Sequence, residues 1–302
     1  MIILRKHGKC FRMGRCVLLA LLLANSLCWL PAWAEDSQGQ IGAAAPPRFV
    51  LQGVDSPELS QAILQELCQA WADADALLRG ERSQIVKPLV VEVSFTRKRF
   101  SLPGLPSRWE EPAGCVYLAK GYAVLRLDQD LSQRSRQIIR HEVAHWLLWL
   151  YWAEEEPLPT WLNEGVACLM EMPFTPEGRP QLQLERRRQF LQLCKRRKSA
   201  VRLERLLSAE RSQAFLSSHE YAFAWALAFY LASRESAEMQ GGTALIDLLQ
   251  ANLDARSCPD HAQCLQQSLF QLVKPPVASC KELLRQIEGW MSGQWTMDAS
   301  GH

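Results

Sequence analysis

The residues best suited to chemistry form one short segment, His141-Glu142-Val143-Ala144-His145. Histidines four residues apart leave the same face of a helix about one turn apart. That spacing lets two imidazole nitrogens reach one zinc ion at about 2.0–2.1 Å. Glu142 points off this axis, so it can act as general base on a metal-activated water rather than bind the metal. The segment therefore predicts a metal-dependent hydrolytic site.

Two histidines do not complete such a site, because catalytic zinc usually takes three protein ligands and leaves one position for water or substrate. Glu164 is the obvious third ligand. It lies 19 residues after His145 on the next predicted helix, and the proline-containing turn between them allows the two helices to fold back on each other. We therefore predict that His141, His145 and Glu164 hold one Zn²⁺ ion.

The same motif followed by Trp161-Leu162-Asn163-Glu164-Gly165 resembles the gluzincin zinc metallopeptidases, in particular the peptidase MA-like branch with its M1-like motif pattern. The resemblance implies zinc as cofactor, a thermolysin-like catalytic core and hydrolysis of peptide bonds in a peptide or protein substrate. No Gly-x-Met-Glu-Asn segment precedes the first motif. The amine-binding device of the aminopeptidases is therefore missing, which makes the peptidase MA-like proteins the better resemblance.

The resemblance also implies roles for two further residues. The family carries an acid seven residues after the ligand glutamate, which orients a ligand histidine and fixes its tautomer. Glu171 stands at that position. A family tyrosine on a later helix stabilises the oxyanion, and Tyr221 aligns with it, although Phe223-Ala224 replaces the usual Lys-Gly. The alternative for Tyr221 is a packed position in an aromatic core helix.

A second function class stays open at this point. An exported binding or scaffold protein could retain the metal fold without turnover, although Glu142 then has no physical purpose. A third alternative is an enzyme held closed by its own loop at residues 102–112. Substrate sequence, endo- or exo-cleavage and oligomeric state are left open.

The first 34 residues read as a cleaved signal peptide, with five basic residues, an apolar run and Ala32-Trp33-Ala34 as the cleavage site. The protein is therefore expected to be exported, to the periplasm or outside the cell; an uncleaved membrane anchor is the alternative. Without this segment, 29 Lys and Arg face 32 Asp and Glu. This near-neutral balance gives no argument for nucleic-acid binding.

The pattern of the remaining chain predicts an α+β fold. Residues 35–47 are interpreted as a linker and 48–156 as a small mixed α/β lobe that includes the motif helix. Residues 157–302 are interpreted as an all-helical lobe that carries the third zinc ligand. The predicted strands are 48–53, 89–95 and one or two strands within 116–127, with 122–127 as a candidate edge to which an extended substrate could add. The predicted helices are 57–78, 132–152, 161–171 with Thr160 as its cap, 181–197, 201–216, 218–234, 243–253, 261–272 and 279–291.

Seven cysteines follow residue 34, and an exported protein should pair some of them. The cluster of Cys258, Cys264 and Cys280 favours a disulfide between C-terminal helices. Cys168 lies among apolar residues, which is typical of buried packing rather than of a nucleophile.

Basic runs at 186–188 and 195–198 are typical of a solvated helix face. The alternative is weak contact with an anionic envelope surface, which would be salt-sensitive. His219 is interpreted as a capping or surface residue rather than a ligand.

Overall fold

A computed structural model describes residues 49–78, 89–95, 114–117, 122–128, 130–153, 158–176, 178–208, 216–234 and 243–298. The predicted signal peptide, the linker at 35–47 and the loop at 102–112 lie outside these ranges. The α+β fold class is confirmed: a small sheet near the start of the chain precedes a helical remainder. Residues 46–302 form one compact unit, and the division into two lobes stays a prediction.

The described residues form a sheet of four strands in the order β1-β2-β4-β3. These are β1 (Phe49–Gln52), β2 (Leu89–Ser94), β3 (Gly114–Tyr117) and β4 (Tyr122–Arg126). The first two strands and β4 are parallel, and β3 pairs with β4 antiparallel. The predicted edge strand at 122–127 is therefore wrong. Sheet order is not written in local sequence, and residues 114–117 cover the open side of β4.

The first helix, α1 (Pro57–Leu78), has the predicted bounds and buries the residues that recur every three to four positions. It packs against α2 (Gln133–Leu148), with the rings of Trp71 and Trp146 at 5.1 Å between centroids. A buried ion pair joins the same two helices, because the fully buried Arg140 contacts Asp73 and lies 3.7 Å from Glu66. These contacts fix the helix that carries the first motif.

The motif helix α2 begins as predicted. The side chain of Ser132 accepts a hydrogen bond from the backbone N–H of Ser135 at 3.3 Å and caps the first turn. The helix continues into a π-helical turn, Trp149–Ala153, so helical structure reaches the predicted end. His141 and His145 lie in the second half of α2.

Helix α3 (Thr160–Met170) carries Glu164, and all residues at 161–170 are buried. The predicted capping role of Thr160 is wrong, because the N-cap is Pro159. The carbonyl of Pro159 accepts from the backbone N–H groups of Leu162 and Asn163 at 3.0 Å each. Thr160 is already helical there, as the first residue of α3.

Six further α-helices follow within the described ranges. Their bounds are α4 (Leu184–Cys194), α5 (Ser199–Ser208), α6 (Ser218–Ala232), α7 (Ala244–Asp254), α8 (His261–Leu272) and α9 (Cys280–Asp298). The first of these ends before the predicted 197, because residues 195–198 turn the chain into α5. Helix α5 is described to Ser208, and residues 209–215 lie outside the described ranges. Leu216, the predicted end of this helix, is not helical, so that bound is wrong.

A disulfide forms within the predicted cluster of C-terminal cysteines, but it does not connect two α-helices as predicted. It joins Cys258, which follows a 3-10 turn, to Cys264 in α8. Cys280 is a buried free thiol. In the part of the chain that the structure covers, no helix has the length and apolar character needed to cross a bilayer.

Candidate metal centre

The structure brings the three predicted metal ligands together. Nε2 of His141 lies 3.1 Å from Nε2 of His145 and 3.4 Å from Oε2 of Glu164, and Nε2 of His145 lies 3.7 Å from that same oxygen. Tetrahedral zinc with ligands at about 2.0–2.1 Å separates its ligand atoms by about 3.3 Å. The observed triangle has a point about 2.0 Å from all three atoms, so the donor set fits a zinc ion.

These three side chains come from two packed helices. His141 and His145 leave one face of α2 a turn apart, and Glu164 leaves the facing side of α3. His145 and Glu164 are nearly enclosed, whereas the side chain of His141 keeps 19% of its exposure. The centre is therefore anchored on its deep side and reachable from the side of His141.

Neighbouring side chains orient both imidazoles. Nδ1 of His145 lies 3.1 Å from Oδ1 of Asn163, and Nδ1 of His141 lies 3.2 Å from Oε1 of Glu171. An acceptor at each Nδ1 favours a proton on that nitrogen, so Nε2 is the atom that each neutral ring can offer to a metal. Glu171 thus stands where the predicted orienting acid should be, and Asn163 performs the same task for the second ring.

Arg186 and Cys168 also lie at this centre, where the sequence had not placed them. Arg186 of α4 pairs with Glu171, with one nitrogen 2.6 and 2.7 Å from the two carboxylate oxygens. The interpretation of residues 186–188 as a solvated face is therefore wrong for Arg186. Cys168 is buried as predicted, but it also lies close to His141 and Glu171. His141, Cys168 and Glu171 form a second group of ligand-type side chains within 4.8 Å of one another.

The pKa values of His141 and Glu164 are strongly shifted. Burial favours a neutral His141, but hydrogen bonds with Cys168, Glu164 and Glu171 outweigh it and raise the pKa of the ring well above its ordinary value. Burial likewise favours a protonated Glu164, yet the two histidines lower the pKa of this carboxyl well below its usual range. Opposite charges on the imidazole and the carboxylates thus stabilise each other in this centre.

Tyr221 lies at the same centre, on the first turn of α6. Burial, together with the nearby negative charge of Glu164, raises the pKa of the phenol. The phenol is therefore a protonated hydrogen-bond donor at neutral pH. Glu142 is half-buried on α2 beside the ligand histidines.

Gly165 explains why α6 comes so close. A Cβ atom at this position would lie 2.5 Å from the backbone oxygen of Ala224, so only glycine lets α3 and α6 pack at this distance. Ala224 is three residues after Tyr221 on α6. The close approach of α3 and α6 at Gly165 therefore brings Tyr221 near Glu164, the residue that precedes Gly165. His219 contacts Arg196 and belongs to neither of the two groups of ligand-type side chains.

Residues 136–246 match a family described as a protein of unknown function (DUF1570). The matched segment runs from α2 into α7 and includes all the residues of the candidate centre, with Asn163 and Arg186 among them. No curated protein and no solved structure matches the chain.

Proposed function

We propose that the chain is an exported zinc metallopeptidase that hydrolyses peptide bonds. The observation that carries the proposal is the triangle of two imidazole nitrogens and one carboxylate oxygen, whose edges of 3.1, 3.4 and 3.7 Å suit one zinc ion. The gluzincin-like motifs at 141–145 and 161–165 support the same conclusion independently of the geometry. Histidine and carboxylate ligands in a 2:1 ratio are also a known catalytic zinc set.

His141, His145 and Glu164 would hold the ion, which supplies a Lewis acid for the substrate carbonyl and lowers the pKa of water to about 7. Glu142 follows His141 directly and takes the proton of the attacking water, then returns it to the leaving amine. Tyr221 donates its phenolic proton in a hydrogen bond to the oxygen on which negative charge develops. Its raised pKa keeps that proton in place at neutral pH.

The partly exposed side of His141 favours an open cleft where a polypeptide segment can approach. The predicted signal peptide supports export, and the disulfide between Cys258 and Cys264 agrees with an oxidising compartment. The alternative is an exported scaffold that binds zinc without turnover. A scaffold of this kind needs neither Glu142 as a proton carrier nor Tyr221 as a hydrogen-bond donor to an oxyanion.

The test compares zinc content and peptide cleavage in the parent chain and in Glu142→Gln. Because this glutamate is a proton carrier and not a ligand, we expect Glu142→Gln to retain one zinc per chain and to lose at least a hundredfold in cleavage rate. Glu204→Gln, an exposed charge change on α5, is the matched control and should cleave like the parent.

Cleavage is followed by mass spectrometry on a broad peptide library, before and after limited proteolysis to expose a latent enzyme. Zinc binding by the parent without any cleavage under either condition would favour the scaffold. A parent chain that binds no zinc would contradict both the metallopeptidase and the zinc-binding scaffold.

A further inference from the structure

We propose that Arg186 is a positioning residue of the metal centre, which locks Glu171 against His141 and thereby commits that ring to present Nε2 to the ion. The inference rests on the proposed zinc site. It adds to that site a residue from a third helix, outside both sequence motifs.

The contacts form a continuous chain from α4 to the metal face of α2. Nη2 of Arg186 donates to both carboxylate oxygens of Glu171, at 2.7 and 2.6 Å. Oε1, one of these oxygens, is the atom that faces Nδ1 of His141 at 3.2 Å. Since both oxygens are engaged, the carboxylate cannot rotate without breaking a charge-assisted hydrogen bond.

The guanidinium is itself held in place. Nε of Arg186 donates to Oε1 of Gln183 at 2.7 Å, and Nε2 of Gln183 donates to the carbonyl of Cys168 at 2.6 Å. The arginine is thus tied back to the end of α3, the helix that supplies Glu164 and Cys168. Its side chain is 23% exposed, so it differs from the solvated ion pairs that contribute little.

Arg188 provides the contrast on the same helix. Its side chain is 70% exposed and lies 3.4 Å from Glu185, three residues earlier. An exposed pair of this kind is worth little, because solvent screens it and both side chains lose freedom. The two arginines share a helix and a charge but differ in their access to the metal centre.

The position of Arg186 also suits one particular metal location. His141 has ligand-type neighbours on both sides: Glu164 and His145 at Nε2, and Glu171 with Cys168 at Nδ1. A fixed positive charge beside the second pair repels another cation there. Arg186 therefore favours a metal on the Nε2 side and keeps Glu171 as a hydrogen-bond acceptor for the ring.

The test is the zinc dissociation constant, measured by competition with a chromophoric chelator at fixed pH. Arg186→Met keeps an unbranched apolar stem in place of the arginine side chain and removes its charge and donors. We expect it to weaken zinc binding about tenfold, the lower end of the effect of losing a group that orients a ligand histidine. Arg186→Lys should recover part of the loss, because it restores the charge but not the fork of donors. Arg188→Met, the control, should bind zinc like the parent.

A double-variant cycle separates positioning from mere stability. Glu171→Gln alone should weaken zinc binding about tenfold or more, and adding Arg186→Met should weaken it no further, because both changes remove the same support. Urea unfolding of the zinc-free variants reports whether each one folds. A purely structural arginine would lower unfolding stability without changing the zinc dissociation constant of the folded chain.

Two results overturn the inference: a zinc dissociation constant for Arg186→Met within twofold of the parent value, or losses that add fully in the double variant. If Arg186→Met does not fold, the same cycle with Arg186→Lys decides, because a loss for Arg186→Lys that adds fully to the loss for Glu171→Gln contradicts the coupling equally well. A parent chain that binds no zinc is a different failure, since it removes the proposed function itself.

Discussion

Replacing Gly165 with alanine tests how the two helices around the centre are packed. The new Cβ would lie 2.5 Å from the oxygen and 2.9 Å from the carbon of the Ala224 carbonyl group. A carbon atom normally approaches a carbonyl oxygen to about 3.3 Å, so the backbone of α6 must move by about 0.8 Å. The obstacle is main chain and cannot rotate away.

Two effects of opposite sign follow from Gly165→Ala. Alanine is favoured over glycine within a helix by about 1 kcal/mol. Overpacking costs about 1–3 kcal/mol, and a backbone obstacle places this site at the upper end of that range. We therefore expect Gly165→Ala to lower the free energy of unfolding by about 2 kcal/mol.

Gly289→Ala is the matched control, because Gly289 is an exposed glycine within α9 and its Cβ would meet no atom within 4 Å. This change should raise the free energy of unfolding by up to about 1 kcal/mol. The difference between the two variants isolates the steric cost. Urea unfolding of the zinc-free chains, followed by circular dichroism, measures it. A Gly165→Ala chain as stable as Gly289→Ala would refute the close packing of α3 and α6.

Three further predictions concern the centre and its support. Because the pKa of His141 is raised, its ring is protonated in the metal-free chain at neutral pH, whereas a ligating imidazole must be neutral. Zinc binding should therefore release a proton and become tighter as the pH rises toward that pKa. Calorimetry in buffers of different ionisation enthalpy measures the proton release. Zinc binding without proton release would contradict the assignment of a protonated His141. Asn163→Ala removes the acceptor at Nδ1 of His145 and should weaken zinc binding about tenfold in chelator competition; an unchanged dissociation constant would show that this contact has no orienting role. Asp73→Asn removes the nearer carboxylate from the buried Arg140 and leaves the more distant Glu66. It should lower the free energy of unfolding, measured in urea, by about 3 kcal/mol. A loss below about 1 kcal/mol, as for an exposed pair, would contradict a strong buried ion pair.

Local spacing predicts much of the candidate site and of the elements around it. Histidines four residues apart must share a helix face, and the amphipathic period gives α1 its bounds at residues 57 and 78. Asn163 also left a signal, because it is a polar residue beside Glu164 in an otherwise apolar helix. Such a residue is expected to have a buried partner.

Features that depend on distant pairing were not predictable in this way. The basic run at 186–188 gives no sign that Arg186 turns toward the centre while Arg188 faces solvent. The place of β4 inside the sheet depends on β3 pairing with it, which the alternating pattern of either strand does not encode. The contact of Cys168 with His141 depends on how α2 and α3 cross, and an apolar sequence context describes only its burial.

X-ray absorption at the zinc edge of the metal-loaded chain tests the central claim most directly, because it identifies the atoms around the ion. The account predicts one zinc per chain with two imidazoles and a carboxylate at about 2.0–2.2 Å, and His145→Ala should lose this signature. A sulfur neighbour at about 2.3 Å would place the ion with Cys168 instead and contradict the assignment of His141, His145 and Glu164 as its ligands.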